Sequence, residues 1–166
     1  GAGVLPLCAL AATADDVIAH QQARGVPAAT SVRTLNDLGQ QVMKHRHVHG
    51  EPGLHNQGWL RAVWSGGFLC LGRLQFEPTL SDLGVAGGPK RRVLSVHIPQ
   101  TGPLTPESVD AAFTAASDAY RRHYPDLGEP AAFICDSWLL DAVLTELVPG
   151  TNLARFAQRW TTWECG

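Results

Sequence analysis

Arg73, Gln75 and Glu77 alternate along one stretch of the chain, and Ser95 and His97 alternate along another. Side chains of an extended backbone repeat every second residue, so each set occupies one face of a strand. If the two strands pair with those faces together, an imidazole stands beside a carboxylate within a sheet. There it is oriented and tuned for proton transfer. A solvated edge strand produces the same alternation without any chemistry.

A second candidate is the junction Ile98-Pro99-Gln100-Thr101-Gly102-Pro103-Leu104-Thr105-Pro106. It leads from a strand into a helix, and a helix N-terminus offers free amides and a positive dipole end to phosphate. Its prolines remove amides, and Glu107 repels an anion, so the residues alone make a weak phosphate site. Cys135-Asp136-Ser137 closes another apolar run and places a thiol where His97 could serve as its base. A buried, inert Cys135 is the competing reading. His45 and His49 are spaced i, i+4, with His47 and His55 nearby, but no H-E-x-x-H pattern accompanies them. Histidines at a helix C-terminus suit the helix dipole, and no metal is expected. Ser65-Gly66-Gly67 lacks the G-x-S-x-G context of a nucleophile elbow.

The elements that must position these residues follow from punctuation and period. Thr13 followed by Asp16 predicts a capped helix over 14–23, stopped by Gly25 and Pro27. Val32, Leu35, Leu38, Val42 and Met43 predict one amphipathic helix from Thr30 or Ser31 to Gly50. A short helix over 54–65 follows. The period then changes to two, predicting one strand over 68–77, a Gly- and Pro-rich loop over 78–89, and a second strand over 92–98. Those strands can form an antiparallel pair. Thr105, Pro106 and Glu107 open the clearest helix, with Val109, Ala112, Phe113, Ala116 and Tyr120 as its stripe. A short strand over 130–135, a helix over 138–148 and a last strand over 153–163 complete the reading. Strand, helix, strand in this order implies some parallel pairing.

The chain has 166 residues, a formal net charge of −2, 45% hydrophobic and 17% charged residues. One globular domain is the expectation, and a chain of this size hides roughly 70% of its unfolded surface. The near-neutral balance gives no field to hold a polyanion, so nucleic acid is not an expected partner. No apolar run reaches the roughly 18 residues of a membrane span, and Val4 to Ala12 lacks a preceding basic region. No membrane partner is expected. Cys8, Cys70, Cys135 and Cys165 form no framework, which predicts a reducing, cytoplasmic setting; Cys70 and Cys135 read as small core residues.

Four segments together carry a resemblance. They are Gly72-Arg73-Leu74-Gln75-Phe76-Glu77, Val96-His97-Ile98-Pro99 through Gly102-Pro103-Leu104-Thr105-Pro106, Cys135-Asp136-Ser137-Trp138-Leu139-Leu140-Asp141, and Arg155-Phe156 with Gln158-Arg159-Trp160. Over Val4 to Trp163 the chain resembles the C-terminal half of a bacterial family of acyltransferase-domain proteins with a GNAT-like C-terminal domain. Two departures stand out: the phosphate loop lacks spaced glycines, and Asp136 stands where the family has His.

The resemblance implies an α/β (α+β) fold with a mixed central sheet flanked by helices. Residues 1–67 would be the mainly helical segment and 68–166 the strand and helix core of a single GNAT-like domain, preceded by an N-terminal domain in a longer protein. It implies an acyl-CoA co-substrate, acetyl or longer, in a splay between strands 92–98 and 131–136, contacted by Ile98, Gln100, Thr101, Gly102 and Thr105. His97 or Glu77 would deprotonate an amine or hydroxyl of a small-molecule acceptor, amides near His97 would hold the oxyanion, and Ser137 would protonate the leaving thiolate. Arg73, Gln75, Ser95, Asp136 and Trp138 would contact the acceptor. A non-catalytic ligand-binding domain on the same fold is the alternative.

Overall fold

A computed structural model describes residues 3–54 and 56–162, which form two compact units divided between Cys70 and Leu71. The first unit is helical: α1 (Val4–Ala12), α2 (Ala14–Ala23), α3 (Ala28–Leu35), α4 (Asp37–His49) and α5 (Gln57–Val63). α2 has the predicted bounds, but its predicted cap is used elsewhere. Thr13 Oγ1 donates to the carbonyls of Ala9 and Leu10, at 3.0 and 3.2 Å, and so closes α1. The single helix expected up to Gly50 is interrupted at Asn36, which separates α3 from α4.

The buried face of α3 and α4 is also more polar than the apolar period predicts. Ser31, Thr34, Asp37, Gln41 and His45 are buried, whereas Val32 and Met43 are exposed. The reason is that several of these polar groups have internal partners. Asp37 Oδ2 accepts from Trp59 Nε1 and from Gln41 Nε2. Thr34 Oγ1 donates to Thr30 O and accepts from Cys70 N, both at 2.9 Å. Gln21 Nε2 donates to Gly66 O at 3.2 Å and to Phe68 O at 3.1 Å. Gly66, Phe68 and Cys70 belong to the segment that follows α5. The helices thus satisfy its backbone with side chains in place of a neighbouring strand. Around these bonds Val17, Leu35, Leu54, Leu60, Val63 and Phe68 form the unit's apolar core, each fully buried large side chain contributing about 1.5–3 kcal/mol.

Four strands, β1 (Leu69–Leu71), β2 (Leu74–Ser81), β3 (Arg91–His97) and β4 (Phe133–Ile134), lie in that order in one sheet. The single strand expected over 68–77 is therefore two. Gly72 adopts φ 61, a left-handed conformation that ends β1 and that a residue with a Cβ takes only under strain. β2 continues through Pro78 to Ser81, shortening the expected loop. β2 and β3 are antiparallel, with Gln75 opposite His97, Phe76 opposite Val96 and Glu77 opposite Ser95. β3 and β4 are parallel, with Leu94 opposite Phe133 and Ser95 opposite Ile134. The sheet is mixed and flanked by helices, the α+β arrangement that the resemblance implied.

α6 (Pro106–His123) connects β3 towards β4 and buries Val109, Ala112, Ala116 and Tyr120. Phe76, Phe113 and Phe133 meet edge to face, at centroid distances of 4.8–6.0 Å, and Tyr120 Oη donates to Phe76 O at 2.8 Å. Because Phe76 faces α6, the neighbouring positions Gln75 and Glu77 fall on the opposite face of the sheet.

The C-terminal elements differ most from expectation. The helix predicted over 138–148 is a single 3-10 turn, Trp138–Leu140, and then α7 (Ala142–Leu147), because Asp141 Oδ1 accepts from Val143 N and starts a new helix there. Of the strand predicted over 153–163, residues 153–157 belong to a helix, α8 (Asn152–Ala157), residues 158–162 are turn and irregular backbone, and Trp163 lies outside the described residues. Thr151 caps α8 by accepting from Ala154 N, worth about 1 kcal/mol. Phe156 and Trp160 stand four residues apart, a helical spacing that the alternation at Leu153 and Arg155 obscures.

Candidate active site

β3 and β4 run parallel, so their C-terminal ends lie at one end of the pair, and α6 starts from the loop that leaves β3. Ligands of sheets with parallel strands collect at this end, where strand ends and helix starts leave backbone groups open. β3 runs on to His97, two residues beyond the last registered pair with β4, Ser95 and Ile134.

His97 and Glu77 project from the face away from α6. Their side chains are about a quarter to a third exposed, 24% and 31%, and His97 Nε2 lies 3.1 Å from Glu77 Oε2. Ser95 is half-buried opposite Glu77, and Gln75 is buried opposite His97. The structure thus brings together four of the five polar residues read from the alternation. An imidazole held on one nitrogen by a carboxylate keeps the other nitrogen in a defined direction for proton transfer.

Arg73, the fifth, lies in the β1–β2 turn and serves the loop instead. Its Nη1 donates to Pro99 O at 2.7 Å, and its Nε donates to Gly102 O and Pro103 O at 3.1 and 3.2 Å. Three carbonyls of residues 99–103 therefore turn toward one guanidinium. Gln100, Thr101 and Gly102 are exposed, and Ile98 is half-buried. Thr101 N donates back to Pro99 O at 2.8 Å. Thr105 is the predicted cap: its Oγ1 accepts from Ser108 N, and its carbonyl accepts from Ser108 Oγ and Val109 N.

Ser137 Oγ accepts from Leu139 N and so caps the 3-10 turn, while Asp136 and Trp138 are exposed. Burial pushes the Cys135 thiol up to about 12, and the nearby charge of Asp136 adds to the shift. The thiol stays protonated at neutral pH, which disfavours it as a nucleophile. Cys8, Cys70 and Cys135 are free thiols; Cys165 lies outside the described residues.

Sequence reading missed a cleft of about 450 Å3 that Cys135 lines together with, among others, Phe113, Phe133, Leu140, Arg159 and Trp160. Trp160 packs on Phe113 and Phe156, at 6.0 and 5.7 Å between ring centroids. Arg159 pairs with Asp110 of α6, holding that carboxyl below its usual range chiefly through the hydrogen bond, while the guanidinium is raised. The findable signal was helical spacing in 153–160, which places Trp160 one turn after Phe156.

The His45 and His49 rings lie 4.4 Å apart between centroids, tilted by 42°, and His55 lies outside the described residues. Among the described residues no three His, Cys, Asp or Glu side chains gather as metal ligands, and no helix is long and apolar enough to cross a membrane.

Residues 68–165 match the family model of the GNAT-like C-terminal domain, and residues 1–66 match that of the N-acyltransferase N-terminal domain. The C-terminal family thus accounts for the sheet and the helices around it, and the helical residues before it match a second family. Among solved structures, an acyltransferase in complex with decanoyl-CoA and teicoplanin is 31% identical, with a TM-score of 0.83 over 95% of this chain and 47% of that one. An acyltransferase in complex with decanoyl-CoA is 32% identical, with a TM-score of 0.83 over 95% of this chain and 48% of that one. An acyltransferase variant in complex with octanoyl-CoA matches at 31% identity, with a TM-score of 0.83 over 95% of this chain and 47% of that one. The chain spans about half the length of these relatives. No curated protein matches it.

Proposed function

Since the chain belongs to the GNAT-like C-terminal domain family through residues 68–165, we propose that it is an acyl-CoA-dependent N-acyltransferase whose proton-transfer pair is His97 and Glu77. The observation that carries this reading is the 3.1 Å contact between these two side chains at the open end of the parallel strands.

The His97 imidazole, paired through Nε2 with Glu77, takes the proton that an acceptor amine loses as it attacks the thioester carbonyl. The C–N bond forms, the C–S bond breaks, and the departing sulfur leaves as a thiol after receiving a proton. Glu77 stabilises the imidazolium in between and holds the ring's orientation. Ser137, whose oxygen accepts from Leu139 N, passes its hydroxyl proton to the leaving sulfur and regains one through solvent as the His97 imidazolium gives up the amine's proton, and backbone amides beyond His97 are the proposed oxyanion donors.

The aromatic cleft fits an acyl-CoA donor. Phe113, Phe133, Ile134, Leu140 and Trp160 supply apolar wall for the acyl and pantetheine portions, and about 450 Å3 suits a ligand of that class. The relatives bound to octanoyl-CoA and decanoyl-CoA favour a medium-chain donor, and the one bound to teicoplanin favours an amine on a bulky glycopeptide acceptor. Gln75, Ser95, Asp136 and Trp138 are proposed to face the acceptor, and residues 98–105 the donor's phosphates. A reducing cytoplasmic setting suits the free thiols.

The test is thermal stabilisation by CoA, acetyl-CoA, octanoyl-CoA and decanoyl-CoA, followed by thiol release with a teicoplanin-type amine acceptor. Ligand at 100 times its Kd stabilises by about 2.7 kcal/mol, enough for a clear shift in Tm. Saturable shifts with the longer donors and acceptor-dependent thiol release are expected. Absence of any shift removes the enzyme reading, and binding without turnover leaves a non-catalytic acyl-CoA-binding domain.

A further inference from the structure

The start of α6 is poor in anion-binding groups. Pro106 has no N–H, and the amides of Ser108 and Val109 are both taken by Thr105, which leaves the amide of Glu107. Glu107 and Asp110 add two negative charges in the first turns. The loop before the helix offers no lysine, and Arg73, which reaches it from the β1–β2 turn, is committed to carbonyls. A phosphate brought to this end needs a cation from another element.

Arg159 is that cation. It is the one charged side chain among the described residues lining the aromatic cleft. Its Nη1 bonds Asp110 Oδ1, and Glu107 also acts on its charge, so it stands over the N-terminal half of α6. The adjacent Trp160 is wedged against Phe113 and Phe156, which fixes the backbone from which the guanidinium extends.

We propose that Arg159 recognises the phosphate groups of the acyl-CoA donor, with Asp110 holding the guanidinium over the cleft until a phosphate displaces it; this rests on the donor reading above. The exchange is physically reasonable because the Asp110 side chain is 62% exposed, and ion pairs of that kind are weak. A phosphate accepts two parallel N–H bonds from a guanidinium and competes well for it. The apolar portion of the donor then lies on the aromatic wall beside Arg159.

The experiment compares octanoyl-CoA with octanoyl-pantetheine, which lacks the nucleotide phosphates, by calorimetry on the full-length protein. Arg159→Ala should weaken octanoyl-CoA about ten- to a hundredfold, the scale of a lost charge-assisted contact, and leave octanoyl-pantetheine within about twofold. Arg159→Lys should recover part of the loss, and its retained charge serves as a folding control alongside the circular dichroism spectrum. Asp110→Asn should leave octanoyl-CoA binding equal or tighter. Equal losses for both ligands in Arg159→Ala, no loss for either, or weaker octanoyl-CoA binding in Asp110→Asn overturns the proposal. If the unaltered protein binds neither ligand, the donor reading itself falls, and this inference with it.

Discussion

Glu77 stands opposite Ser95 in the β2–β3 ladder, yet its carboxylate reaches diagonally to His97, Oε2 to Nε2 at 3.1 Å. Diagonal partners in an antiparallel pair have Cβ atoms roughly 7–8 Å apart, a gap that the two long side chains together close. The contact depends on the register: a slip by one residue would send one of the two to the other face. Replacing His97 with Ala should lower kcat by about 10²–10⁴-fold with little change in acyl-CoA affinity. Glu77→Gln should cost less, and the double variant no more than His97→Ala alone, because the pair acts as one unit. Steady-state kinetics on the three variants check this; additive losses would separate the two residues.

The Arg73 guanidinium organises the loop from Pro99 to Pro103 through three carbonyls. Arg73→Ala should destabilise the fold by about 1–2 kcal/mol, the lower end of the charged hydrogen-bond range because two of the bonds are exposed. It should also raise KM for the acyl-CoA donor more than it lowers kcat. Arg73→Lys, with a single ammonium in place of the planar fork, should restore only part of either. Denaturant melts and the split between KM and kcat are the readouts, and an unchanged KM would confine Arg73 to a structural role.

Gln21 is fully buried and carries two backbone carbonyls, those of Gly66 and Phe68. Gln21→Leu leaves both without this donor, but it also removes the Gln21 Oε1 atom, buried and unpaired among the described residues. The net expectation is a loss of about 1–3 kcal/mol in urea unfolding with an unchanged m-value. A variant as stable as the parent would show that the segment finds other donors.

Cys135 should resist alkylation at pH 8, whereas the exposed Cys8 reacts, because burial holds the Cys135 thiol near 12 against an ordinary 9.0. The sign of the linked stability follows. Below about pH 9 the thiol is protonated folded and unfolded alike, and Cys135 adds no pH dependence. From pH 9 towards 12 the unfolded chain releases this proton and the folded one retains it, so stability falls as pH rises. Mass-spectrometric labelling and the difference between the parent and Cys135→Ala in urea melts across that window check both statements.

The two largest differences between sequence and structure have one cause, a local signal read without its competitor. Alternation through Phe68 to Glu77 suggests one strand, but Gly72 at φ 61 turns the chain. Leu153 and Arg155 alternate, yet Thr151 caps a helix whose Ala154, Phe156 and Ala157 are buried. The polar face of α3 and α4 was hidden differently. Nothing near Thr34 or Asp37 in sequence reveals Cys70 N or Trp59 Nε1 as partners, because those groups arrive from 36 and 22 residues away.

Local chemistry alone determined α6 with its Thr105 cap, the end of α2 before Gly25 and Pro27, and the alternation that put Glu77 on one strand and Ser95 and His97 on another, because caps, stop signals and period-two patterns act over a few residues. Only the tertiary structure decided that Arg73 serves loop carbonyls, that Asp110 meets Arg159, and that Phe113, Phe133 and Trp160 enclose a cleft. These contacts join residues 20 to 49 positions apart, and which long-range partner meets a charge or ring is set by how the elements pack together.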